Sequence, residues 1–354
     1  MRYFKSGILL VFVLFNFTIG YGQPEQKNVD LKTEKKLFES DLPLSVRVSY
    51  SRKQIKKDTN DSTYIDSYLD YKTVDNDWRK INLKVRARGN FRRGKCYFTP
   101  LKLKLKKSQI KKTIFKGHKQ LKLVLPCLNE ASKDDDVNKE YLIYKMYEVI
   151  SPYYFRTRLL DIEYSEIKRR GVKVHNFKGL LIEDNSKVAK RLKGKLSKRN
   201  CYPQAYDNLA AVRCAMFQYM IGNTDFSTTY QHNSKVLFVD KKFVPVPYDF
   251  DMAGFVNASY AVVSQIGDRQ LPISKVTERC YLGYQRDYQY FQQVREEFLN
   301  NKEALLSIVD SHAPHFTSER SHKAARNYIL QFYRVLEDDE KFKKLTFDAA
   351  LKLD

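Results

Sequence analysis

Two hydrophobic periods divide the chain. In residues 42–50 (LPLSVRVSY), 81–90 (INLKVRARGN), 99–107 (TPLKLKLKK) and 118–127 (HKQLKLVLPC), apolar and polar positions alternate. A period of two places alternate side chains on opposite faces, so these stretches predict strands. In the third, Leu101, Leu103 and Leu105 face one way, and Lys102, Lys104 and Lys106 the other. The segment between the first two, SRKQIKKDTNDST, predicts an exposed loop. The period then changes. Val137, Tyr141, Leu142, Met146, Val149 and Ile150 form one helical stripe, opened by Asp134 to Asp136, as helix N-termini favour, and stopped by Pro152.

Residues 156–165 and 176–184 return to strand character, and residues 188–200 (VAKRLKGKLSKRN) predict a basic connector. Residues 205–223 predict a helix through Leu209, Val212, Met216 and Met220, ended by Gly222 and Asn223. Residues 235–239 and 243–250 predict a hairpin, whose two prolines place its second strand at an edge or make it irregular. Mainly helices follow, including REEFLNNKEALLSIVDS and KAARNYILQFYRVLEDDE.

The first residues read as an export signal. Arg2 and Lys5 precede an apolar run over residues 7–19, too short to span a bilayer comfortably, and Gly20 and Gly22 precede Gln23. The expected organisation is a signal peptide at 1–22, a flexible lead at 23–41, a strand-rich part with one helix at 42–184, and a second part at 185–354. The mature protein is then exported to the periplasm, envelope or exterior, with no membrane span left after signal cleavage. Five cysteines without a CxxC or Cys/His cluster exclude an ordinary structural zinc site and leave room for one disulfide, its partners open.

Charge narrows the partners. The formal net charge is +23, and residues 78–129 contain no Asp or Glu while residues 79–122 contain 17 Lys and Arg. Such a field draws phosphate-bearing or other anionic partners, an anionic envelope surface among them. No nucleic-acid-reading motif is present, so sequence-specific nucleic-acid recognition is not expected. Within this basic chain, Asp225, Asn233, Asp249 and Asp251 fall close together. Oxygen side chains of this kind are what Mg²⁺ takes, together with phosphate oxygens and water. A metal-dependent phosphodiesterase is the weaker reading, since the six histidines form no paired metal pattern.

The stretches VRARGN, TPLKLKLK, GLLIED, GNTDFS…HN and VPYDFD, in that order over roughly residues 82–257, resemble the CotH-like family of atypical secreted kinases known from spore-coat proteins. The resemblance implies an α+β, bilobal protein-kinase-like fold with a strand-rich N-lobe and a mainly helical C-lobe. It implies phosphate transfer from ATP, with Mg²⁺ or Mn²⁺, to a hydroxyl acceptor such as Ser or Thr of an envelope or secreted protein. Asp225 would be the base or orienting carboxylate, and Asp249, Asn233 and Asp251 the metal ligands. Arg88 beside Gly89, and Lys102 or Lys104 paired with Glu140, would bind the nucleotide; alternation does not choose between the lysines. The chain has no GxGxxGxV, VAIK or HRD motif, Asp225 and Asn233 are eight residues apart where an ordinary kinase loop has five, and Asp251 replaces the usual Gly. A non-catalytic, pseudokinase-like protein that binds anionic polymers or surfaces is the alternative.

Overall fold

A computed structural model of the chain describes residues 36–130, 133–264, 266 and 270–353, together with Met1. The expected signal and most of the expected lead lie outside these residues. The described end of that lead is anchored: Leu37 is fully buried and donates its N–H to the carbonyl of Ile114.

Seven strands, β1 (Leu44–Tyr50), β2 (Ile65–Lys72), β3 (Trp78–Ala87), β4 (Leu101–Leu105), β5 (Gln120–Val124), β6 (Thr157–Lys168) and β7 (Gly171–Glu183), form a closed barrel in the order β1-β2-β3-β4-β5-β7-β6. All neighbours are antiparallel except β1 and β6, which pair in parallel from Leu44↔Leu160 to Tyr50↔Glu166 and so close the ring. The expected leucine alternation holds in β4: Leu101, Leu103 and Leu105 are buried inside with Val46, Leu83, Leu121, Leu123, Ile162 and Leu181. Burying each such side chain stabilises the fold by about 1.5–3 kcal/mol.

This closure overturns the kinase-like architecture. The class is mixed α+β, but the strands form a barrel and not the strand-rich lobe of a bilobal kinase. The physical reason is β6 and β7, a hairpin of 12- and 13-residue strands. It reaches round from β5 to β1, and closure leaves no unpaired edge.

Between the strands lie α1 (Arg52–Asp58), α2 (Asn90–Lys95), α3 (Lys107–Ile110) and α4 (Asp134–Ile150). α1 replaces the loop expected at residues 51–63; the Ser51 hydroxyl accepts from the Gln54 N–H and starts it, and Ile55 is its buried side chain. α4 is buried nearly all round, as a helix inside a core should be. It joins Leu159 of β6 and Leu180 and Ile182 of β7 in a second apolar core. That core includes α6 (Asn208–Ile221), α7 (Tyr288–Asn300), α8 (Lys302–Ser311) and α9 (Glu319–Leu336), while α5 (Asn185–Arg191) occupies part of the expected basic connector. A short sheet runs β10-β9-β8, with β8 (Lys195–Leu196), β9 (Ser234–Val239) and β10 (Lys242–Pro247). β10, with Pro245 and Pro247, is at its edge, because proline gives no N–H to a further strand. Near the C-terminus, α10 (Asp339–Phe342) follows α9. Among the described residues, no helix is long and apolar enough to cross a membrane.

Candidate functional site

α6 delivers the loop that carries Asp225. Asp207 caps its start by accepting from the Ala210 N–H, and Gly222 ends it at φ +63°. A Cβ at Gly222 would fall 2.0 Å from the Tyr328 Oη, so glycine alone fits there. The next residue is a brace: buried Asn223 donates to Gln218 Oε1 and accepts the Asp225 N–H at 2.9 Å.

The eight-residue spacing from Asp225 to Asn233 is taken up by a tight reversal. Ser227 and His232 exchange both backbone hydrogen bonds at 2.9 Å, which folds His232 and Asn233 back onto Asp225. Asn233 Nδ2 donates to Asp225 Oδ2 (2.9 Å) and to its carbonyl (2.8 Å); His232 Nε2 and Ser264 Oγ lie 3.2 and 3.3 Å from Oδ1. With its amide nitrogen so engaged, Asn233 has its Oδ1 to offer as a ligand. The hydrogen bond to Asp225 raises the His232 pKa, against the effect of burial.

The loop after β10 supplies the other carboxylates. Phe250 is fully buried against Tyr144 and holds Asp249 and Asp251 in place on either side of it. Asp249 sits at φ +65° and donates its N–H to Tyr144 Oη at 2.9 Å; its Oδ2 is 3.9 Å from Arg88 Nη2. Asp251 is buried, accepts from Tyr260 Oη at 3.0 Å, and lies 3.7 Å from Arg92 Nε. Arg88 follows β3, and Gly89, at φ +76°, precedes α2, which carries Arg92. One open cleft of about 350 Å³ is lined by Arg88, Gly89, Arg92, Asp225, His232, Asn233, Asp249 and Asp251, among others. Five of the eight residues expected at the site from sequence meet here.

The other three divide. Glu140 is buried, with Asp251, Arg92, Asp249 and Arg88 as its electrostatic neighbours; among the described residues its Oε1 has no hydrogen-bond partner. Burial, then the Asp251 and Asp249 charges, push its pKa up to about 8 against the pull of Arg92. The expected pair with Lys102 or Lys104 is not formed. Lys102 Nζ lies 2.8 Å from Asp184, the N-cap of α5, and Lys104 is exposed on the barrel wall, 5.6 Å from the Tyr64 ring.

The cation that sequence reading missed is Lys122 on β5, the cross-strand neighbour of Lys102. It is buried, donates to Asn185 Oδ1 at 2.7 Å, and stands 4.5 Å from the Phe155 and Tyr248 ring centroids. Burial and then Arg88 drive its pKa well below the ordinary lysine value, with Asp249 and Asp184 opposing. In sequence it is one more lysine among alternating leucines; only cover on both faces of β5 distinguishes it.

Among the described residues, no three His, Cys, Asp or Glu side chains are grouped closely enough to hold a metal ion by themselves. The donor chemistry still suits Mg²⁺, which commonly takes one or two carboxylates and completes its octahedron with phosphate oxygens and water. Asp249 and Asn233 are oxygen donors lining the cleft, and Asp251 lines it with them. No protein-family model matches this chain, and no curated protein matches it.

Proposed function

We propose that this chain is an exported phosphotransferase, similar in chemistry to the CotH-like kinases, that moves the γ-phosphoryl group of ATP to a hydroxyl acceptor. The observation that carries the reading is the convergence of Asp225, Asn233, Asp249 and Asp251, from two separate loops, with Arg88 in one cleft. Structural turns alone would not require both loops to turn their oxygens to the same space.

In this reading Asp249 and Asn233 hold the Mg²⁺ that neutralises the phosphates, and Asp251 supports them. Arg88 offers a planar, two-pronged donor to a phosphate, and Lys122 adds a second cation beside Asp249. Asp225 orients the acceptor hydroxyl and takes its proton. The acceptor oxygen bonds to the γ-phosphorus, the bond from that phosphorus to the bridging oxygen breaks, and ADP leaves. His232 and Asn233 hold the Asp225 carboxylate in place for this step.

The test uses three proteins. Asp249→Ala is expected to abolish stabilisation by Mg-ATP in a thermal shift, since a ligand that binds only the folded state raises its stability. Asp225→Ala is expected to keep that stabilisation and lose transfer of radiolabelled phosphate, because an orienting carboxylate acts mainly in the transition state. Equal transfer by wild type and Asp225→Ala would refute the assignment.

A non-catalytic polyanion binder is the second reading. The exposed lysines 104, 106, 107, 111, 112, 116 and 119 favour it. Stabilisation by polyanions alone, lost with added salt, would support it over phosphotransfer.

A further inference from the structure

The outer face of the β6–β7 hairpin changes character towards its tip. Along the barrel wall its outward positions are polar: Asp161, Glu163 and Ser165 on β6, Asn176 and Lys178 on β7. β1 stops at Tyr50, opposite Glu166, so the end of the hairpin stands clear of the ring. There the outward positions turn aliphatic. Ile167 faces Val172 across the hairpin, and Val174 follows on the same face. The three are 47, 62 and 55 % exposed in that order. Strand geometry does not require this, since threonine suits an exposed strand position equally and leaves less hydrocarbon in water.

Charge surrounds the patch. Lys168, Arg169, Arg170 and Lys173 are all exposed, and residues 167–175 contain no Asp or Glu. Arg169 and Arg170 form the turn, while Lys168 and Lys173 lie on the face opposite the aliphatic one. The neighbouring acid, Glu166, is buried at the root of the tip. It accepts from Arg52 Nε at 3.1 Å and Tyr97 Oη at 3.2 Å, with His175 Nε2 3.1 Å away. Lys168 Nζ, at 3.6 Å, is the tip cation beside it. Tyr164 stacks on His175 and completes this brace, which holds the tip out from the barrel.

Exposed aliphatic side chains ringed by cations complement anionic head groups lying over hydrocarbon. An acidic protein fits less well. Three aliphatic residues fall far short of the roughly 20–30 residues a side of a stable protein interface, and no aromatic anchor stands among them. We propose that this tip docks the protein on an anionic phospholipid bilayer. Ile167, Val172 and Val174 enter the boundary between head groups and acyl chains, and the four cations meet the lipid phosphates. Their long apolar stems let the charges stay at the phosphate level while the aliphatic face sinks below it. The proposal does not rest on the phosphotransfer reading. Nor does it involve the lysines between β4 and β5, which lie at the opposite end of the barrel.

The experiment floats the full chain with vesicles of phosphatidylcholine alone and of an equal mixture with phosphatidylglycerol. Binding is expected to the mixture only, and to fall with added salt. Arg169→Gln/Arg170→Gln should weaken it roughly twenty-fold, each basic residue near such a surface counting for about fivefold. Ile167→Thr/Val172→Thr/Val174→Thr, which keeps branching at Cβ, should weaken it roughly tenfold or more. All five positions are exposed, so both variants should fold, which circular dichroism checks. Flotation that both variants leave unchanged overturns the proposal, as does equal flotation with neutral vesicles or none with either. Position is read separately by Val172→Trp made in Trp78→Phe protein, Trp78 being the only tryptophan of the chain. Its emission should move to the blue on the mixed vesicles and be quenched by brominated acyl chains. Emission that stays that of a water-exposed indole overturns the proposal even where the chain floats, because another segment then carries the binding. A blue shift with polyglutamate and none with vesicles overturns it in favour of an acidic protein.

Discussion

Removing the Cys96–Cys127 disulfide should destabilise the protein and loosen the Arg88–Arg92 side of the cleft together. Cys96 is the C-cap of α2, the helix that carries Arg92, and Cys127 follows β5, the strand that carries Lys122. The bond closes a loop spanning 31 residues. In the chain-entropy treatment, such a loop restricts the unfolded chain by about 12 cal/mol/K, or about 3.7 kcal/mol at 25 °C. Two native hydrogen bonds persist without it, Tyr97 N–H to the Cys127 carbonyl at 2.7 Å and Arg92 Nη2 to the Leu125 carbonyl at 2.6 Å. α2 is therefore expected to stay docked but move more freely. The double variant Cys96→Ala/Cys127→Ala, compared with wild type by urea unfolding, should lose about 2–4 kcal/mol and show a steeper denaturant dependence, because its unfolded state is more expanded. Mg-ATP affinity, read by thermal shift or calorimetry, should fall several-fold, since Arg92 lies on the freed helix and Arg88 just before it. A loss under about 1 kcal/mol would refute the loop-entropy reasoning. Unchanged Mg-ATP affinity would refute the coupling to the cleft.

Three other expectations follow from single residues. Glu140→Gln should remove a pH dependence: with the folded carboxyl near 8 and the unfolded one near 4.5, the folded state keeps a proton the unfolded state has lost. Wild-type stability in EDTA should therefore fall as pH rises from 4.5 to 8, at up to about 1.4 kcal/mol per pH unit, and an identical slope in Glu140→Gln by urea unfolding would sink the idea. Lys122→Met should leave stability at pH 7 unchanged or raised, because below pH 10.5 the unfolded chain holds the lysine proton more readily than the folded one, yet weaken Mg-ATP binding roughly tenfold or more; a destabilised variant with unaltered binding would contradict both halves. Gly222→Ala should cost about 1–3 kcal/mol, and Tyr328→Phe should restore part of it by removing the oxygen that the new Cβ meets; no recovery would locate the strain in φ alone.

The parts of this protein that were legible in sequence are those whose signal is local. β3, β4 and β5 declare themselves by alternating aliphatic side chains, α4 by its change of period, and the β10 edge by two prolines. β2 was illegible because Asp66, Ser67 and Asp70 break its apolar pattern into half-buried positions. Barrel closure was illegible for a different reason: β1 and β6 pair across more than a hundred residues, and nothing in either strand specifies the other. The site divides the same way. Asp225, Asn233 and Asp249 could be gathered from the order of two loops, whereas the lysines could not be ranked. On β4 the alternate lysine side is open to water or to Asp184; on β5 the equivalent side is covered by Phe155 and Tyr248, which belong to distant segments.

Unfavourable backbone and unfavourable charge coincide at this cleft. Gln231, Asn233 and Asp249 all adopt positive φ, a region that residues other than glycine rarely occupy and that costs on the order of 1 kcal/mol or more each. Around them, among the described residues, lie a carboxyl with an oxygen that has no hydrogen-bond partner, an arginine whose buried Nη1 has none, and a lysine deprived of water. If Asp249 served only to turn the chain, glycine would meet the same φ with less strain and would spare Glu140 a repelling neighbour. If Lys122 served only to fill the space between Phe155 and Tyr248, methionine would fill it without desolvating a charge. Each of these side chains is a poor structural choice taken singly. Together they form a set of mismatched charges whose imbalance a polyphosphate and its divalent cation would correct. That mutual correction, more than any one contact, supports the phosphotransfer reading over that of a passive basic surface.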